Sequence, residues 1–137
     1  MDREVVETKL ESLRGCVQRI IAKTPTTPEQ LALDADLQDI IALNLQRAVQ
    51  LCVDLATHII AETDAPAPST MAENFQLLQD LKIINPQLAQ RLRKAVGFRN
   101  IAVHSYRQID WDIVFRICRE NVNDFIDFAK AIAVRLE

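Results

Sequence analysis

The chain has 137 residues, with 16 lysines and arginines against 19 aspartates and glutamates and a formal net charge of −3. With 49% hydrophobic residues, only two glycines and five prolines, it has the composition of one compact helical domain over residues 1–137, which excludes a disordered or fibrous protein. Cys16, Cys52 and Cys118 are odd in number and set among aliphatic residues, so they read as reduced core thiols and neither a disulfide framework nor a zinc site follows.

Val5, Val6, Leu10, Leu13, Val17, Ile20 and Ile21 recur at three- and four-residue steps and predict an amphipathic helix from about residue 2 to about 23. Thr27, Pro28 and Gln30 form a capping box that opens a second helix, predicted to run unbroken to about Glu62. That helix carries two apolar stripes. One contains Leu37, Ile41, Ala48, Cys52, Leu55 and Ile59, the other Leu43, Leu45, Val49, Val53 and Ile60, so burial on more than one side is expected, one side against a second subunit.

Asp64-Ala65-Pro66-Ala67-Pro68-Ser69 is a loop, and Thr70 with Glu73 opens a short third helix through Leu81. Asn85-Pro86 caps a fourth helix, interrupted by Gly97, and Asp110 caps a last helix whose broad apolar face runs from Ile113 to Leu136. The expected fold class is all-α, an antiparallel helical bundle of about five helices. The N-terminus lacks the basic start and apolar run of a signal peptide, and no stretch approaches the ~18 apolar residues of a membrane span. A cytoplasmic protein with no membrane partner is expected.

The chemistry concentrates in Arg99-Asn100-Ile101-Ala102-Val103-His104-Ser105-Tyr106. Arginine grips phosphate oxygens with a permanently charged fork, and histidine exchanges protons near neutrality, so the two suffice for cutting a phosphodiester without metal. Five helical steps of about 100° put Arg99 and His104 roughly 140° apart. Either the backbone turns off near His104, or two copies meet across a dimer axis. From Lys82 to Arg107 the chain carries Lys82, Arg91, Arg93, Lys94, Arg99 and Arg107 with no acidic residue, leaving ten basic residues against all 19 acidic ones elsewhere. A solvated arginine and a hydrogen-bonded histidine are the plain alternative. An acid-free basic segment around the motif favours steering of a polyanion, with Arg91, Arg93, Lys94 and Arg107 as the residues that would bind it.

Gly97-Phe98-Arg99-Asn100-Ile101-Ala102-Val103-His104-Ser105-Tyr106 resembles the R-x4-H-x-Y signature of HEPN-domain toxins of the HepT type, the partners of minimal nucleotidyltransferase antitoxins of the MntA type. The likeness extends over nearly the whole chain. Leu43 to Gln50 leading to Asp54 to Ile60 is similar to the family's long second helix, Glu73-Asn74-Phe75 to its short third helix, and Ile109-Asp110-Trp111 to the start of its last. The resemblance implies a homodimeric, metal-independent endoribonuclease toxin of a type VII-like pair that acts on an RNA such as tRNA or mRNA and needs no cofactor. It implies Arg99 and His104 as catalytic residues and Tyr106 as the site where the antitoxin attaches AMP.

Asn100 lies four before His104, where its amide could orient the imidazole or contact phosphate. Asp54 and His58 are also four apart, which suits a structural hydrogen bond better than a metal pair, because no further ligand has suitable spacing. No glycine-rich phosphate loop exists, which argues against nucleotide hydrolysis. The readings from other classes are a non-catalytic helical domain that binds a minimal nucleotidyltransferase, and a purely structural dimer.

Overall fold

The structure, a computed structural model, describes residues 2–136. Among them all regular structure is helical: α1 (Arg3–Lys23), α2 (Pro28–Ala32), α3 (Ala35–Ile60), α4 (Met71–Asp80), α5 (Pro86–His104), α6 (Trp111–Arg116) and α7 (Val122–Val134). A 3-10 turn, Tyr106–Gln108, follows α5, and a π turn, Ile117–Asn121, joins α6 to α7. No helix is long and apolar enough to cross a membrane among the described residues.

Local chemistry explains the helix starts. Thr27 accepts from Gln30 N while the Gln30 side chain reaches back to Thr27 N, as the capping box requires. Thr70, Asn85 and Asp110 cap α4, α5 and α6, accepting from Glu73 N, Leu88 N and Asp112 N.

Three expectations are corrected. The second helix is not unbroken, because Asp34 accepts from Leu37 N and starts a new helix there, while the Gln38 amide closes on the Leu31 and Ala32 carbonyls left over from α2. Gly97 does not interrupt α5, whose helix runs through it. The last helix carries the π turn, whose inserted residue rotates the following face by about 100°. Beyond it Asp124 meets Arg91.

α3 is the central element and buries twelve residues, Ile41 to Ile60. It runs antiparallel to α1, with Lys9 against Asp54 and Arg47 beside Cys16, and antiparallel to α5, with Gln50 at Arg99 and Asp39 at Tyr106. Neighbours on several sides absorb both apolar stripes within one chain. Of the second stripe only Leu43 stays exposed, so α3 itself gives no argument for a second subunit. Phe75 of α4 packs edge-on against Phe128 of α7 and completes the core on the far side.

Candidate functional site

Arg99 sits one and a half turns before the end of α5, on the side that faces α3. Its guanidinium donates to Gln50 Oε1 at 3.4 Å and to Asn100 Oδ1 at 3.4 Å. Gln50 is itself held, because its amide donates to Asp54 Oδ1 at 2.9 Å and Asp54 pairs with Lys9 at 3.5 Å. A line of polar contacts thus fixes Arg99 from α5 through α3 to α1. Asn100 serves the arginine in this structure, not the imidazole.

His104 is the last residue of α5, exposed, and its side chain makes no hydrogen bond among the described residues. The helix stops after it, with Ser105 N bonded to Ile101 O, but His104 is still helical and keeps the divergence of roughly 140° from Arg99. It shares a face with Gly97 and Asn100, away from α3. One chain therefore does not join the two groups.

Tyr106 turns back the other way. Its hydroxyl donates a short hydrogen bond to Asp39 Oδ1 at the start of α3, and its ring packs edge-on against Trp111. Burial first, and then the Asp39 carboxylate as acceptor and as charge, push the phenol well above its ordinary value. Asp39 and Gln50 lie about 16 Å apart along α3 at 1.5 Å per residue, so the exposed side of α3 forms a floor between tyrosine and arginine.

The other basic residues divide into two groups. Arg91 Nε pairs with Asp124 Oδ1 at 2.8 Å, and Arg93 donates to Gln76 at 3.1 Å and Gln79 at 3.5 Å. Lys94 and Arg107 are exposed and make no ion pair or hydrogen bond through their side chains among the described residues. On the outer side of α5 an apolar groove of about 680 Å³ runs against α6, between Gly97 and Ile101 and Ile113. Ile101 and Ile113, both in its lining, are each close to half exposed, and Ile101 lies one turn before His104.

Among the described residues no group of three His, Cys, Asp or Glu could hold a metal ion. Asp54 is taken by Gln50 and Lys9 and does not orient His58. Burial pushes the thiols of Cys16, Cys52 and Cys118 up, the last to about 11, as inert core thiols require.

Asp39 and Gln50 were not singled out by the sequence. A signal was present: Asp39, Gln46, Gln50 and Asp54 recur at helical spacing and draw one polar stripe down an otherwise apolar helix.

The family model described as ribonuclease HepT-like matches residues 9–132. The chain is 33% identical over 129 residues to a Shewanella oneidensis protein named mRNA nuclease HepT, covering 94% of this chain and 96% of that one. It is 27% identical over 111 residues to a tRNA nuclease HepT of Aphanizomenon flos-aquae, covering 81% of this chain and 76% of the relative. Among solved structures it matches the tri-AMPylated Shewanella oneidensis HEPN toxin in complex with MNT antitoxin, with a TM-score of 0.90, 33% identity and coverage of 98% and 99%. A toxin–antitoxin structure with AMP-PNP matches with a TM-score of 0.90 and 32% identity, covering 96% and 99%. The chain belongs to the ribonuclease HepT-like family of HEPN proteins.

Proposed function

We propose that this chain is the toxin of a toxin–antitoxin pair, a ribonuclease that cuts RNA at a cleft shared by two copies and is silenced when a partner nucleotidyltransferase attaches AMP to Tyr106. The observation that carries this reading is the arrangement at the end of α5. Arg99 is fixed toward α3, His104 stands free on the opposite side, and Tyr106 is held beyond them on Asp39.

The chemistry closes on protein groups. His104 takes the proton of a ribose 2′-hydroxyl, the oxygen attacks the adjacent phosphorus, and the 5′-oxygen leaves with a proton returned by an imidazolium. Arg99 carries the extra negative charge of the phosphorane, a role for which its fork and its fixed position suit it. The products are a 2′,3′-cyclic phosphate and a free 5′-hydroxyl, with no metal ion required. Asn100 steadies Arg99.

Because one chain parts Arg99 from His104, one protomer supplies the arginine and the other the histidine. The half-exposed Ile101 and Ile113 on the outer side of α5 provide the apolar surface on which two copies meet. Lys94 and Arg107 draw RNA to the cleft, while Arg91 and Arg93 act mainly within the fold.

Silencing uses the phenol of Tyr106. Its oxygen attacks the α-phosphorus of ATP, pyrophosphate leaves, and Asp39 accepts the phenolic proton. Asp39 is thus the general base for the modification. Each AMP brings negative charge to a floor on which RNA phosphate would lie.

Incubation of the purified chain with RNA in EDTA tests the reading. Cleavage with 2′,3′-cyclic phosphate ends is expected. Intact RNA, or cleavage restored only by one metal ion, contradicts it.

A further inference from the structure

α1 and α3 enclose a trough of about 880 Å³ whose lining includes Gly15, Cys16 and Arg19 from α1 and Asn44, Arg47 and Gln50 from α3. No carboxylate lines it. Asp54, one turn on from Gln50, is already bound by Lys9. We propose that this trough extends the RNA site, with Arg47 and Arg19 binding backbone phosphates of the strand to one side of the phosphate held at Arg99. The proposal deepens the ribonuclease reading and rests on it.

Continuity is the first argument. Gln50 lines the trough and also accepts from Arg99 Nη2 at 3.4 Å, so one side chain belongs to both sites.

Charge is the second. Arg3, Arg14 and Arg91 are each paired with a carboxylate, whereas Arg19 and Arg47 have neither an ion pair nor a hydrogen bond among the described residues. The charge of Arg47 opposes the rise that burial imposes on the Cys16 thiol, which places that guanidinium close to the trough floor. Two free cations in one acid-free concavity of a net acidic chain are a site for phosphates.

The remaining lining fits a ribose strand better than an acidic peptide. The Asn44 side chain lines the trough; its amide donates to Ile40 O at 2.8 Å, and its carbonyl oxygen accepts from no donor among the described residues. A 2′-hydroxyl supplies that donor. Gly15 leaves the wall bare, and a Cβ built on it meets nothing within 4 Å. The space beside it is open to a sugar or base.

The test measures binding of a 2′-O-methylated single-stranded RNA of about twelve nucleotides, which resists cleavage, so affinity is read apart from catalysis. The methyl groups remove the donor for Asn44 and leave the two phosphate contacts to be counted. Arg19→Ala/Arg47→Ala should bind at least about tenfold more weakly at 0.1 M salt. Its plot of log affinity against log salt should be shallower by about 1.4, the share of two phosphates on a single strand. Gly15→Leu is the second variant, because leucine favours the helix, its Cβ meets nothing within 4 Å and its side chain occupies the trough; it should weaken binding while melting no lower than wild type. Unchanged affinity and salt slope in both variants overturn the proposal, as does a wild type that binds no RNA. A changed molar mass in light scattering with unchanged RNA affinity overturns it too, by making the trough a contact between copies. RNA bound through the trough by a chain that cleaves no unmodified RNA upholds the proposal and contradicts the nuclease reading instead.

Discussion

The two sides of α5 differ in what they hold still. The inner side faces α3 and keeps Arg99 on Gln50, which is kept in turn by Asp54 and Lys9. The outer side does not hold the histidine. The His104 side chain has no partner among the described residues, one turn after Ile101, which with Ile113 edges a groove. On the proposed mechanism a fixed cation and a free imidazole on opposite sides of one helix are two halves of a site, and the difference predicts a unit of activity larger than one chain.

The largest effect that bears on this comparison comes from truncating either half. Arg99→Ala and His104→Ala should each lose about 10² or more in cleavage rate, because one removes the charge on the phosphorane and the other the proton exchange. Neither side chain is in the core, so the melting temperature should stay within a few degrees of wild type. A truncated variant that cleaves at the wild-type rate removes its residue from the site.

The groove is broken by charge. Ile101→Glu or Ile113→Glu places a carboxylate on the surface assigned to the second copy, at positions 45% and 49% exposed where folding itself should tolerate it. Light scattering should report one chain of 15.6 kDa in place of two, with cleavage lost alongside. A monomer that still cuts RNA sinks the division of labour.

Tyr106 offers a spectroscopic reading, because it is the chain's one tyrosine. Its phenol is raised above the ordinary value, so the protonated form is the one the fold stabilises. That stability is whole below about pH 10, the unfolded value, and is lost as pH rises through the higher folded value. Phenolate absorbance should therefore stay flat through pH 10 and appear earlier in Asp39→Asn. With a partner nucleotidyltransferase and ATP, Asp39→Asn should also take AMP at least about tenfold more slowly, and Tyr106→Phe should take none. Equal adduct mass on wild type and Tyr106→Phe refutes the site.

The smallest effect separates the paired arginines from the free ones. Arg91→Ala leaves the buried Asp124 without its 2.8 Å partner and should cost about 1–2 kcal/mol in urea unfolding, discounted because the Arg91 side chain is partly exposed. Lys94→Ala should leave stability within about 0.5 kcal/mol and weaken RNA binding instead.

Much of this was legible in the sequence because it is local. Thr27, Thr70, Asn85 and Asp110 announce helix starts through side chains that reach only two or three residues, and each caps its helix, although the capping box expected of Thr70 and Glu73 is only half made, the Glu73 carboxylate accepting from Ser69 N and not from Thr70 N. The break at Asp34 was also local, but the apolar periodicity on either side hid it. The partners of the motif were not legible. Asp39 is 67 residues from Tyr106 and Gln50 is 49 from Arg99, and the antiparallel packing that joins them is settled by side-chain fit across α3, which periodicity does not encode. The same packing absorbed the second apolar stripe of α3 within the chain and moved the argument for a second copy to the outer side of α5.

Mixing tests the central claim most directly. Arg99→Ala and His104→Ala, each inactive alone, are unfolded together and refolded in equal amounts, and cleavage is measured at the same total concentration. Half of the dimers are then mixed, and in each of them one of two clefts pairs an intact Arg99 with an intact His104 from the other chain. The account predicts a return to about a quarter of the wild-type rate. A mixture as inactive as its components, with mixed dimers present by native mass spectrometry, would show that both groups must come from one chain and would contradict the account.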